Sequence, residues 1–410
     1  MSRHAERYPT IKAGSRMLDM LDRVKATNIT LQGDLAFLNS WQFFTASPQT
    51  HFEQLTTTGP YAGTLSAFTT GVRLRTRYAH LLPHRLSHGK KTSFWAGDSP
   101  RVIDTARYFA AGFFGLDWPD TATLHVIPET LERGGNTLTP GDSCLAYIED
   151  EEFGHDYGAR MLMAYRSTYL SKVRERLQTQ NPGIVLSDAD IYSMQEMCGF
   201  ETTVRGASPW CDVFSEEEWR DFEYARDVIH YYRAGPGNRW AGAMGWLWLN
   251  RTAELLEGGP AEGPLWFSFV HDGDIVPMLA ALDLFPQAGD LPTTHRIDDR
   301  GWKTSQVTPM GGRAIFERLR CPKRPSNDSA AAEIPREEAN GSAGMDEIFV
   351  RININDGIVA LPDCSSGPGG SCPLADFLRR IGERGEEVGD FRTECGLGGD
   401  AEAGIGFLMQ

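Results

Sequence analysis

No apolar stretch in this chain approaches the length of a bilayer-spanning helix, so a helical membrane anchor is not expected. The opening residues, Met1-Ser2-Arg3-His4-Ala5-Glu6-Arg7, are polar from the start and lack the apolar core of a secretory leader. Basic residues are in deficit: 40 Lys and Arg stand against 55 Asp and Glu, a formal net charge of −15. A chain that acidic is a poor partner for nucleic acid, whose phosphates need a positive surface. A local basic pocket for a small anion is still possible. No CxxC pair occurs and no histidine sits at zinc-finger spacing, which removes the case for a structural zinc site. No internal repeat is visible.

What is present is ordinary for a globular protein: 410 residues, 41% hydrophobic and 23% charged. That length permits one large domain or two moderate ones. Seven cysteines lie at 144, 198, 211, 321, 364, 372 and 395. Cys364 and Cys372 flank a Gly/Ser/Pro turn, and Cys198 and Cys211 flank a second short loop. Both are natural places for small disulfides; free buried thiols are the alternative. Sequons at Asn28, Asn250, Asn327 and Asn340 give mild support to a secreted chain.

Along the chain, Arg3 to Pro9 reads as a loop. Met17, Leu18, Leu21 and Val24 share one face of a first helix, and Tyr61, Leu65, Phe68, Val72 and Tyr78 mark a longer second one. Thr92–Ala96 reads as a strand. Asp98 or Ser99 caps a following helix with Pro100 in its first turn and Val102, Ile103, Ala106, Phe109 and Phe113 facing inward. Thr123–Ile127 is another strand, and 131–224 is mostly helix and loop. Pro264–Val270 is nearly all apolar, as in a strand buried on both faces, and a helix resumes over Ile275–Leu284. Residues 323–345 read as a flexible surface loop. Phe349–Leu361 reads as a hairpin turning at Asn355-Asp356-Gly357. Strands alternating with helices indicate an α/β fold.

Three segments carry possible chemistry. Arg3-His4-Ala5-Glu6-Arg7 places two arginines around one histidine. Arg101 lies in the first turn of a helix, where free N–H groups and a positive dipole end favour an anion. His271-Asp272 directly follows a buried strand, the usual position of ligands in open α/β sheets. Together they fit phosphoryl transfer, with cations on the equatorial oxygens, a histidine that attacks and an acid for the leaving oxygen. Each piece alone has a plainer reading: a solvated basic patch, a surface helix arginine, a turn.

Arg3-His4-Ala5-Glu6-Arg7-Tyr8-Pro9-Thr10 closely resembles the RHGxRxPT signature of the histidine acid phosphatases, in particular the secreted fungal acid phosphatase and phytase group. Ser99-Pro100-Arg101-Val102-Ile103 with Ala106-Arg107-Tyr108-Phe109 resembles the family's second arginine motif, and His271-Asp272 its HD motif. Asn136–Cys144, Met197–Phe200 and Gly235–Asn238 are similar to further family landmarks. Trp302–Ser305 and Pro309–Arg313 are closer to the acid phosphatases than to the phytases. The likeness runs in order from residue 1 to about 398.

This resemblance implies an α/β fold of the phosphoglycerate mutase kind: a central mixed sheet flanked by helices, with an inserted, mostly α-helical domain. Residues 1–130 and 225–410 would form the α/β domain and 131–224 the helical insert. It implies an acid phosphatase that hydrolyses phosphomonoesters, with phytase as the alternative. His4 is the implied nucleophile. Arg3, Arg7, Arg101 and His271 are the implied phosphate ligands, and Asp272 the proton donor that later helps activate water. No metal or other cofactor is implied, because arginines supply the charge. The implied partners are small phosphorylated substrates, with no nucleic acid or membrane. Lys12 and Arg16 are candidates for extra substrate-side cations, or face solvent on the first helix. The family pattern pairs Cys144 with Cys395, Cys198 with Cys211, and Cys364 with Cys372.

Two departures from the pattern stand out. Ala5 replaces the usual glycine, which is tolerable if the backbone there does not need a positive φ. The family also places a leader, an apolar strand and a cysteine partner for Cys321 ahead of the motif, so the chain as written is expected to lack its true N-terminus; a genuine short form is the rival. An inactive relative that only binds phosphorylated ligands is a second functional class, disfavoured by the complete set of six site residues. A cytosolic mutase of the same superfamily is disfavoured by the cysteines and sequons.

Overall fold

A computed structural model of the chain describes residues 1–82, 91–322 and 346–410. The loop expected over 323–345, with the sequons at Asn327 and Asn340, lies outside the described residues. Two sheets organise the molecule. Four parallel strands lie in the order β1 (Ser2–Arg3), β4 (Ser268–Val270), β2 (Thr92–Gly97), β3 (Ala122–Ile127). An antiparallel sheet holds β5 (Ala314–Cys321), β6 (Glu347–Ile354) and β7 (Gly357–Val359), with β8 (Cys372–Pro373) also paired to β6. A bridge between Ser2 and Arg313 joins the two sheets at β1. The expected mixed sheet is therefore a parallel half joined to an antiparallel half.

The main helices are α1 (Ile11–Ala26), α2 (Gly63–Tyr78), α3 (Pro100–Phe114), α4 (Tyr157–Gln180), α5 (Asp188–Arg205), α6 (Glu216–Arg233), α7 (Ala241–Gly258), α8 (Asp272–Ala281) and α9 (Leu374–Val388). Their starts follow local chemistry. Thr10 accepts from the Ala13 N–H at the head of α1, and Ser187 and Ser215 form capping boxes with Asp190 and Glu218 on α5 and α6. Helices α2 and α3 cover one face of the parallel sheet around Phe94, Ala106, Phe109, Phe113 and Phe269. On the other side one continuous core takes in Met17 and Leu21 of α1, Val270 of β4 and Leu162, Met194 and Val228 of the helices between β3 and β4.

Three expectations change. The opening is not all loop: Ser2 and Arg3 pair in parallel with Phe269 and Val270, which carries the sheet directly into His4. The apolar run from Pro264 is paired only over Ser268–Val270, and the helix after it starts at Asp272, ahead of the first apolar turn. In α2, Leu65 and Val72 are exposed, while Gly63, Ala67, Gly71 and Leu74 are buried. Small residues let the backbones meet: a Cβ on Gly71 would lie 2.2 Å from Phe109 O, and one on Gly112 2.1 Å from Phe68 O. Close approach outweighs bulk at this helix pair.

The other elements stand as read. The β6–β7 hairpin turns on Asn355 and Asp356 at φ 50° and 72°, the left-handed pair that a two-residue loop needs. The three disulfides Cys144–Cys395, Cys198–Cys211 and Cys364–Cys372 are formed, and Cys321 is free. Among the described residues, no helix is long and apolar enough to cross a membrane.

Candidate active site

The carboxyl ends of the parallel strands open on one side of the sheet, where main-chain groups face outward and ligands are usually held. His4 follows β1, His271 and Asp272 follow β4, and Ser99 and Arg101 follow β2. Backbone bonds hold the His4 segment in place: its N–H donates to Val270 O at 2.9 Å, and its carbonyl accepts from Gly311 N–H at 2.8 Å. Thr105 of α3 accepts the Ala5 N–H at 3.0 Å and donates to Arg101 O at 2.7 Å, so one hydroxyl ties the first motif to the second. Ala5 is not among the residues with positive φ, and its methyl is buried with Leu55 and Ala67. The alanine is therefore accommodated without backbone strain.

His4 is 2% exposed. Its Nδ1 lies 2.8 Å from Ala5 O. A carbonyl can only accept, so Nδ1 carries the hydrogen and Nε2 keeps the lone pair. Burial, then the charges of Arg3 and Arg7, hold this imidazole well below its ordinary range, so the ring is neutral. A buried neutral imidazole with its free nitrogen defined is a competent nucleophile.

The cations around it are thinly partnered. Arg3 donates to Thr308 O at 2.7 Å and meets Asp272 Oδ2 at 3.2 Å. Arg7 donates to Tyr8 O at 2.8 Å. Arg101 Nη2 lies 3.4 Å from His271 Nδ1. The Nε atoms of all three arginines are buried without a hydrogen-bond partner among the described residues. Burial, with Arg3 and Arg101 nearby, pulls Arg7 down to about 9. Such mutual crowding of positive charge is relieved by a bound anion.

Asp272 is largely buried at the head of α8, and its Oδ1 accepts from Gly273 N–H at 2.9 Å. Burial acts to raise this carboxyl, but Arg3, His230 and Arg233 together take it well below the usual carboxylate range.

Sequence reasoning missed several neighbours. His230 Nε2 accepts from Arg226 at 3.1 Å and stands 3.6 Å from Asp272 Oδ2. Burial, with Arg226 and Arg3 nearby, lowers His230 to about 3. Arg233 lies near Gly273, where an added Cβ would sit 3.7 Å from Arg233 Nη2. Arg226, His230 and Arg233 recur at i, i+4 and i+7 along α6, a helical spacing that was there to be seen. Glu129 was also missed; it follows β3 as His271 follows β4. Of the suggested substrate-side cations, Arg16 is tied to Glu196 and to Ser193 Oγ, and Lys12 is exposed. The remaining six, Arg3, His4, Arg7, Arg101, His271 and Asp272, lie together. Their rings and forks meet at close range, with His4 and His271 centroids 5.7 Å apart.

With this geometry in view, comparison with known proteins is informative. The pattern of the histidine phosphatase superfamily (branch 2) matches residues 1–352. An acid phosphatase of Komagataella pastoris is 35% identical over 405 residues, covering 97% of this chain and 79% of that protein. A phytase of Candida albicans is 33% identical over 401 residues, with 97% and 79% covered. The crystal structure of the phytase from D. castellii superposes with a TM-score of 0.86 at 30% identity, over 98% of this chain and 81% of that one.

Proposed function

Because the chain belongs to the histidine phosphatase superfamily (branch 2) and is an acid phosphatase, a phosphoric monoester hydrolase, we propose specific roles for its site residues. The observation that carries them is the meeting of neutral His4, the Arg3–Asp272 pair at 3.2 Å and Arg101 at the ends of adjacent strands.

Arg3, Arg7, Arg101 and His271 grip the phosphoryl oxygens. His4 Nε2 attacks phosphorus as the bond to the ester oxygen breaks, while Nδ1–H stays on Ala5 O. Asp272 gives its proton to the departing alcohol oxygen. Water then attacks the phosphohistidine, its proton passes to Asp272, the P–N bond breaks and phosphate leaves. Asp272 is ionised in the free protein, yet the first step needs its proton. A bound phosphate offsets the field of Arg3 and its neighbours, and burial then favours the protonated form. Activity is therefore greatest at acidic pH, where Asp272 takes up its proton as substrate binds.

The substrates are small phosphomonoesters. The names of the relatives span acid phosphatase and phytase, and Arg226 and Arg233 beside the clamp favour substrates with a second anionic group. We assign the cap to the helices of 131–224; α6 begins within that span and runs on to carry Arg226 and Arg233. Three disulfides fit an oxidising, extracellular setting. The test is phosphate release from an aryl phosphate and from phytate across pH 3–8, with acid quench to trap an acid-labile phosphohistidine. Release from both substrates and a trapped adduct lost in His4→Ala are expected. No adduct in the active protein would overturn the nucleophile, and exclusive use of phytate would overturn broad specificity.

A further inference from the structure

The four parallel strands each deliver side chains to the same mouth, and the proposed mechanism uses three of the four. The fourth, β3, delivers Glu129. Its Oε1 accepts from His271 Nε2 at 3.0 Å. Its Oε2 accepts from Ser99 Oγ at 2.8 Å, and Ser99 is the N-cap of α3, the helix that carries Arg101. The carboxylate is thus joined to both phosphate-gripping elements beside it. The seat is specific, because a Cβ on Gly97 would lie 2.2 Å from Glu129 Oε1, so the strand end must be glycine for the carboxylate to lie there.

This contact decides which nitrogen of His271 faces the substrate. A carboxylate accepts, so Nε2 carries its hydrogen toward Glu129. Nδ1 is left facing Arg101 Nη2 at 3.4 Å, with the His4 ring 5.7 Å away across the mouth. Resting on the phosphatase reading above, we propose that Glu129 is a positioning residue for phosphoryl transfer: it aims His271 Nδ1 at the phosphoryl oxygens and supplies the counter-charge for the imidazolium that donates there.

Other charged groups near His271 do not take this part. His4 is neutral and Arg101 is positive. Asp272 is engaged with Arg3, and Asp274 is bonded to the His271 backbone N–H at 2.9 Å. Burial, then the charge of Asp142, holds Asp274 well above the carboxylate range, so it is a weak source of negative charge. Asp142, on the short helix Pro140–Ser143, is exposed. Glu129 differs: burial opposes its ionisation, but the His271 and Ser99 bonds outweigh burial and take it below its ordinary value. Its charged form is the favoured one.

The test compares Glu129→Gln with the unaltered protein. The amide keeps the size and an acceptor but loses the charge. The expected loss in kcat/KM is about tenfold to a hundredfold, the scale seen for carboxylates that orient metal-bound histidines. Inhibition by vanadate, a phosphoryl mimic, weakens in parallel. Glu129→Asp, which keeps the charge on a shorter arm, restores vanadate inhibition toward its original strength. Circular dichroism confirms that each variant is folded. A folded Glu129→Gln with unchanged vanadate inhibition overturns the proposal, whether or not its rate falls. His271→Ala separates the two readings: if it too keeps full activity, the phosphatase reading of this clamp fails, and not only the role of Glu129.

Discussion

Arg300 and Arg3 are both buried arginines, and the fold treats them in opposite ways. Arg300 is fully matched. Its Nε reaches Asp227 at 2.5 Å, Nη1 reaches Ile297 O at 2.9 Å, Nη2 reaches Glu223 at 3.1 Å, and the guanidinium lies over the Tyr224 ring. Arg3 has one carbonyl, one carboxylate that is itself the proposed proton donor, and three further arginines acting against its charge. The first cluster serves the fold. The second is held with its donors short of partners, and an anionic substrate completes it. Unmatched positive charge inside a protein of net charge −15 marks the site more clearly than overall charge does.

Five substitutions sharpen that contrast, taken from the largest expected effect. His4→Ala abolishes the proposed nucleophile and lowers kcat by about 10⁴-fold or more, while inorganic phosphate still binds; steady-state kinetics and isothermal titration check both. Next, Arg300→Ala leaves Asp227 buried without its partner and costs about 3–5 kcal/mol in urea unfolding, yet the folded fraction keeps its kcat. Arg101→Met should do the reverse, losing about 10²–10³-fold in kcat/KM at undiminished thermal stability, because it removes a cation from a crowded clamp. Similar stability losses in both variants would break the comparison.

The fourth concerns pH. His230 is lowered from 6.5 to about 3 by burial in the folded state. The unfolded chain takes up a proton below about 6.5 that the folded chain refuses. This contribution to stability is therefore complete above that pH and declines as pH falls toward 3, with a slope of up to about 1.4 kcal/mol per pH unit. His230→Asn removes that slope, so its urea midpoint falls less than that of the parent between pH 7 and pH 4. The smallest effect is expected for Ala5→Gly, about 1 kcal/mol of stability with kcat within about twofold, since the alanine φ is unstrained and only a packed methyl is lost.

Much of the clamp was legible because its members sit at element ends, which short-range chemistry marks. Pro100 and Ser99 announce the helix that carries Arg101, and the apolar run before His271 announces a strand end. Glu129 had the same kind of signal after Thr123–Ile127 and went unread because no partner adjoined it in sequence; the residue it orients is 142 positions away. Arg16 illustrates the opposite failure. A cation one turn after the motif looks available, yet it is committed to Glu196, 180 residues on. In α2, a list of large apolar residues located the helix but not its buried face, because backbone contact through Gly71 and Gly112 turned the small side inward.

By itself, then, the sequence determined where helices and strands start and stop, since caps, prolines and left-handed turn residues act over a few positions. Its motif order also carried the family and the six converging residues. Only the tertiary structure decided protonation and aim: which nitrogen of His4 is free, why Asp272 is ionised before substrate arrives, and how Glu129 turns His271. Those properties depend on burial and on charges brought from distant parts of the chain to within a few ångströms. Neither quantity exists until the strands lie side by side.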